Sequence, residues 1–318
     1  MMNKLFNLGL MAMLVFGLNA CSGESGQEEA GANAAQKAAQ LAYEKEIKKY
    51  RNERLERLQL PAGWLSLVGM HWIDVGTTRV GKGADNGTQI AVGPDRIGML
   101  TLTKEGKITL QPEPSANILI DGVPASGTVS IVPDADGEPT VVGFNDGGAS
   151  FIVIKRGDRY ALRVRDSLAP TRTQFPGIPY FDISKDYRFQ ATFVPHPAGK
   201  KIEIMNILGM VEQMDNPGQV VISKDGKEFR LETVDEGDGR LFIIFADRTS
   251  GHETYAAARF LYADNPGPKG GITVVDFNKA YNPPCAFTNF STCPTPPLQN
   301  RMDLRVEAGE KKPFKPKV

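Results

Sequence analysis

Glycine and proline punctuate this chain so often that long helices are excluded from most of it. Its 318 residues hold 33 Gly and 22 Pro, and from Val75 to Asp276 short apolar runs alternate with Gly, Pro, Asn and Asp. Glycine opens positive φ to the backbone, and proline fixes φ and removes a donor, so this pattern predicts short strands joined by tight turns. In the first half the candidate strands are 78–80, 97–102, 107–110, 117–120, 128–132, 150–155 and 160–164. In the second half they are 187–194, 202–207, 219–222, 228–234, 241–245, 254–261 and 271–276, with hairpin signals at Asp225-Gly226 and Asp238-Gly239. The expected fold class is mainly β. An antiparallel β-sandwich over 61–166 is followed by a second antiparallel β-barrel or curled sheet over 167–318.

The amino terminus reads differently. Residues 1–20 combine Lys4 with the apolar run Leu8 to Leu18, too short to span a bilayer, which is the pattern of a signal peptide. Leu18-Asn19-Ala20-Cys21 resembles a bacterial lipobox. That resemblance implies cleavage before Cys21 and lipidation of its thiol and new amino group. With Ser22 and not Asp next, it further implies an envelope protein on the periplasmic side of the outer membrane, held to the membrane through Cys21. Residues 21–33 then make a lipidated, flexible tether, and 34–60 an amphipathic helix with Tyr43, Ile47, Tyr50 and Leu58 at helical spacing and Pro61 after it.

Composition removes several functions. Lys+Arg and Asp+Glu both number 37, so no bulk charge points to nucleic acid. His71, His196 and His252 lack ligand spacing, which argues against a metal centre, and no motif for a cofactor or nucleotide is present.

Three stretches carry candidate chemistry. Alternation along 159–166 puts Arg159, Arg163 and Arg165 on one strand face, where three guanidiniums repel one another unless solvent, acidic groups or an anionic ligand compensate. The apolar run 241–245 leads into Asp247, Arg248 and Thr249, then Tyr255 and Arg259. Asp276 is in phase with Ile272 and Val274, so its carboxylate is partly buried and needs a partner, with Arg259 the first candidate. From Asp276 to Glu310 the chain holds two cysteines, five prolines and four asparagines with neither helical nor strand period. So long an irregular segment is functional, stapled or disordered, and its aromatic content argues against disorder.

These stretches suggest a small anionic ligand held at the junction of the two β regions by Arg163, Arg165, Asp247, Tyr255, Arg259, Asp276, Asn278, Asn282 and Asn300, with Arg165 and Arg259 gripping it bidentately and Phe287 as a wall. A hydrolase-type enzyme using Asp276 or Asp247 as base and Tyr255 as acid is the alternative, and an envelope interaction module is another. With Cys21 lipidated, Cys285 and Cys293 form a disulfide, two buried thiols, or a catalytic or metal-binding pair.

Two resemblances add to this reading. Arg79-Val80-Gly81, Gly98 and Asp121-Gly122 faintly resemble the forkhead-associated sandwich. The Ser and His by which that family reads phosphothreonine have no counterpart over 95–100, so that likeness concerns fold alone. The blocks GWLSLVGMHW, RVRD, FADRTSGHETYAAARFL and DFNKAYNPPCAFTNFSTCPTPPLQNRMDLRVEAGE look like the domain of unknown function 1684, over about residues 45–312. This implies that Arg165, Asp166, Asp247, Thr254, Tyr255, Arg259, Asp276, Asn278, Asn282, Cys285, Cys293, Asn300 and Glu307 belong to a shared pattern. It implies no activity.

Overall fold

A computed structural model describes residues 24–314. The signal segment and Cys21 lie outside the described residues. The chain divides into two compact units after Glu46. In the first, the described residues belong to a helix, Glu24–Leu58, that continues into the second. It begins inside the stretch expected to be a tether, because Glu, Gln and Ala over 27–35 are good helix formers. Within the second unit its inward stripe is Ile47, Tyr50, Arg54 and Leu58. Ile47, Arg54 and Leu58 are buried, and the Tyr50 hydroxyl donates to the carbonyl of Lys279 at 2.9 Å.

The β regions expected on either side of residue 166 both lie inside this second unit, each around its own apolar cluster. In the first, Leu67–Ile73, Arg159–Asp166, Ala149–Arg156, Val142–Phe144, Leu119–Ile120 and Val123–Pro124 form one sheet in that order. Thr88–Gln89, Gly76–Gly81, Gly98–Leu102, Ile108–Pro112 and Val129–Ile131 form another. Their pairings are antiparallel except that of Gly76–Gly81 with Thr88–Gln89. Alternate residues from both sheets, among them Val80, Leu100, Leu110, Phe144, Phe151, Leu162 and Val164, share one buried cluster. Gly69 is tied to its place by a neighbour: a Cβ there would meet Nε2 of His71 at 2.6 Å.

In the second region Lys227–Glu232, Gly218–Lys224, Arg188–Pro195 and Gly271–Asp276 form a four-stranded sheet. Lys201–Met205 pairs with Val211–Asp215, and Arg240–Phe245 with Arg259–Asp264. Of the two expected forms, barrel or curled sheet, a closed barrel does not form among the described residues. Closure needs a continuous ladder around the ring, and Phe242 of the Arg240–Phe245 strand meets Val234 through an isolated bridge only. As its apolar pattern requires, this strand is covered on both faces: Leu241, Ile243 and Phe245 enter one cluster, Phe242 and Ile244 another. The following strand starts at Arg259 and not at Thr254, since residues 247–254 turn back through a bond from the Thr249 amide to Asp247 Oδ1 at 2.6 Å.

The proline-rich tail is ordered in single 3-10 turns, Phe277–Lys279, Pro284–Ala286 and Leu298–Asn300. Cys285 and Cys293 are joined as a disulfide with Cα atoms 6.1 Å apart, so neither is a free thiol. All described peptide bonds are trans, those to Pro283 and Pro284 included.

Candidate functional site

The polar residues singled out from sequence separate into two groups once their contacts are followed. Arg259 is fully buried, and its Nη2 donates to Asp247 Oδ2 at 2.6 Å and to the Val306 carbonyl at 2.9 Å. Its Nη1 donates to the Ala308 carbonyl at 2.5 Å. Burial pushes this guanidinium downward in pKa and Asp247 opposes that shift. The other oxygen of Asp247 accepts from the Thr249 amide. Arg259 therefore clamps the tail, and Asp247 orients the clamp.

Arg259 does not pair with Asp276, as the strand pattern suggested. Asp276 ends the edge strand Gly271–Asp276 opposite Arg188, whose Nε lies 3.9 Å from Oδ2. Its Oδ1 accepts from the amide and the side chain of Asn278, both at 3.0 Å, capping the turn that follows. Asp276 is buried, but not for the reason its phase suggested: Ile272, in phase with it, is 63% exposed, and it is Thr273 and Val275 that are buried. Register, invisible in one sequence, chose its partner.

The asparagines close the fold. Asn278 exchanges two bonds with the Ser184 backbone, at 3.0 and 2.7 Å. Asn300 accepts from the Glu232 amide at 2.7 Å and donates to the carbonyls of Glu232 and Ile244 at 2.8 Å, tying two strands together. Asn282 donates to the Lys311 carbonyl at 2.8 Å. Tyr255 is half-buried, which raises its phenol pKa, and it makes no hydrogen bond to Arg259 or Asp276. Phe287 packs edge-on against Phe175, with centroids 5.8 Å apart.

Arg163 and Arg165 behave otherwise. Both lie on the Arg159–Asp166 strand facing the same way, opposite Ile152 and Ser150 on one side and Met70 and Leu67 on the other. Arg163 is only 5% exposed, yet among the described residues no carboxylate or carbonyl takes a hydrogen bond from it, and its Nε is buried without a partner. What it touches is the Trp64 ring, 5.4 Å from the guanidinium carbon. Burial, then the charge of Arg156, push its pKa down to about 10. Asp134 opposes this, and Arg165 adds to it. Asp134 is itself paired to Arg156 at 2.9 Å. Arg165 is likewise pushed down by burial, and its buried Nε also lacks a partner. The expected third arginine, Arg159, lies 4.0 Å over Trp72 at the exposed end of the strand. Arg172 bonds to the carbonyls of Gln59 and Ser167. Thus both tryptophans lie against arginines of one sheet face.

Sequence reasoning missed a second buried cluster. Arg54 donates to Glu310 Oε1 at 3.0 Å and to the Asn282 carbonyl at 2.9 Å, while Glu310 Oε2 accepts from the Asn282 amide at 2.7 Å. Arg54 also sits 4.8 Å over the Tyr281 ring. Burial raises the Glu310 carboxyl, opposed by Arg54, and raises the phenols of Tyr281 and Tyr50, the latter to about 12. The signal was present: Arg54 falls on the helix stripe of Ile47, Tyr50 and Leu58, where a charge demands a buried partner.

Two cavities stand out among the described residues. One of about 660 Å³ lies over Asp85, Asp95, Arg96 and Glu113, where Asp85 is paired with Arg96 and Arg79. The other, of about 210 Å³, lies between the helix and the segment around Tyr180.

Residues 173–311 match the family model described as a protein of unknown function, DUF1684. The match supports that family for the second β region and tail. The blocks at 63–72 and 163–166 lie outside it. No curated protein matches the chain. Among solved structures, the solution NMR structure of an uncharacterized protein from gene locus rrnAC0354 of Haloarcula marismortui is 28% identical. The alignment covers 44% of this chain and 78% of that one, with a TM-score of 0.38.

Proposed function

We propose that this is a lipid-anchored envelope protein that binds a small anionic ligand at Arg163 and Arg165. In this reading Cys21 carries the lipid, and the sheets of residues 67–166 make a sandwich that serves as scaffold. The observation that carries it is Arg163: an arginine only 5% exposed, with a second arginine beside it, its Nε buried without a partner and no hydrogen-bond acceptor for its guanidinium among the described residues. Burying an unpaired charge costs several kcal/mol, roughly. An oxyanion shared by two guanidiniums cancels that cost through charge-assisted bonds. Asp247, Arg259, Asp276, Asn278, Asn282 and Asn300 then act indirectly, by holding the tail and strands in place.

The test is native mass spectrometry of the full-length protein, purified in detergent from its own host, followed by thermal unfolding in phosphate, sulfate and citrate. Retained anion, or stabilisation that vanishes in Arg163→Met and Arg165→Met, supports the reading. No retained mass and no anion-dependent shift removes it. One observation favours an interaction module instead: Met205, Ile207, Leu208 and Val211 are exposed on a single hairpin. That alternative predicts a co-purifying protein lost on Leu208→Ser and unaffected by the arginine variants.

A further inference from the structure

We propose that the hairpin of Lys201–Met205 and Val211–Asp215 presents its tip to a lipid bilayer, which it enters to a shallow depth as an apolar wedge. From Ile204 to Val211 no residue is charged. Met205, Ile207, Leu208 and Val211 are exposed there, each between 38% and 52%. Charge returns directly behind this stretch. Glu212 stands opposite Ile204, Glu203 accepts from Gln213 at 2.9 Å, and Lys201 pairs with Asp215 at 2.6 Å. A strand rises about 3.3 Å per residue, so the turn at Leu208 reaches on the order of 10 Å beyond that charged rim. That is the depth at which apolar surfaces settle between headgroups and acyl chains.

The backbone of the turn is what selects a bilayer over a protein partner. Hydrocarbon cannot accept a hydrogen bond from an amide, so an inserted loop must satisfy its own. Here each amide from Asn206 to Met210 is already bonded. Asn206 donates to the Met210 carbonyl at 2.8 Å, Gly209 to the Asn206 carbonyl at 3.0 Å and Ile207 to the Cys293 carbonyl at 3.0 Å. Asn206 is buried, and its Oδ1 accepts from the amides of Leu208 at 2.9 Å and Met210 at 3.2 Å. The Met205 carbonyl accepts from the Thr295 amide and hydroxyl, both at 2.7 Å. The wedge is therefore braced by the stretch around the disulfide and needs little ordering on insertion. A protein recognising this turn through its main chain would find no free amide donor on it. Lys200, Lys201, Glu203, Glu212 and Asp215 nearly balance in charge, so attraction to anionic lipid adds little.

This rests on the envelope reading, which supplies a bilayer within reach, and uses no residue of the Arg163 and Arg165 site. The experiment puts full-length Leu208→Trp and Gln213→Trp into vesicles of phosphatidylcholine brominated near the top of its acyl chains. The wild type supplies the contribution of Trp64 and Trp72. The emission added by Leu208→Trp should fall by roughly half or more on brominated lipid, and that added by Gln213→Trp, on the charged rim, by a small fraction of this. Leu208→Asp, introduced together with Val211→Trp, should cut the quenching of that reporter several-fold, because a carboxylate resists entering the acyl chains. Arg163→Met should leave all of this unchanged. An unquenched Leu208→Trp signal overturns the proposal, as does failure of the protein to sediment with vesicles at millimolar lipid. So does quenching that appears only with anionic lipid, or a co-purifying protein that shields residue 208 from the bromines. A mass showing Cys21 unmodified would remove the lipid anchor and leave the quenching result to be read on its own.

Discussion

Replacing Arg163 with Met should stabilise the protein in buffer free of multivalent anions, the reverse of what losing a buried side chain usually does. The fold holds this arginine at a pKa of about 10. Set against the ordinary arginine value, that displacement is worth ~3 kcal/mol at about 1.4 kcal/mol per tenfold change. Methionine keeps most of the aliphatic stem and fills irregular space well. It forfeits the contact with the Trp64 ring, worth about 0.5–1 kcal/mol. The net expectation is a gain of about 2 kcal/mol. The sign with pH follows from the same shift. A base depressed by folding is charged in both states below about pH 10, so its cost is complete at neutral pH. It is relieved only as pH rises from there towards the unfolded value. The variant's advantage should therefore be flat from pH 6 to 9. Urea denaturation followed by tryptophan fluorescence measures it. In phosphate or citrate the wild type should recover the difference while Arg163→Met does not. A loss of 1 kcal/mol or more in the variant at every anion concentration would refute the argument, because it would mean that the guanidinium is satisfied by the fold.

Other substitutions test the structural assignments. Glu310→Ala leaves Arg54 charged, buried and without its carboxylate, and should cost ~3–5 kcal/mol by denaturant unfolding. Asn300→Ala removes three hydrogen bonds linking residues 232 and 244, two of them part-buried and one buried, and is expected to cost about 2–3 kcal/mol with no change in anion-dependent stabilisation. Reducing Cys285–Cys293 opens a loop with a sequence separation of 8. The chain-entropy relation gives ~2.5 kcal/mol for this, visible as a lower melting temperature with reductant that Cys285→Ser shows without it. Asp247→Asn should destabilise strongly, since Arg259 then lacks its counter-charge, and circular dichroism melts would register the loss at all anion concentrations.

Much of this protein was legible from local pattern. The density of Gly and Pro required short strands, the apolar run at 241–245 required a strand covered on both faces, and alternation over 159–166 put Arg163 and Arg165 side by side. These are consequences of backbone geometry over a few residues, which a sequence carries by itself. Pairing is not local. That Asp247 and not Asp276 meets Arg259, that Arg54 reaches Glu310, and that the asparagines bridge strands instead of lining a pocket depend on register and on which segments the fold brings together. The extent of the helix was likewise misjudged, because a polar stretch rich in Glu, Gln and Ala can be tether or helix. The sequence could propose which residues carry charge into the interior; only the tertiary structure decided which charges find a partner there, because neutralisation is set by distances between residues far apart in the chain.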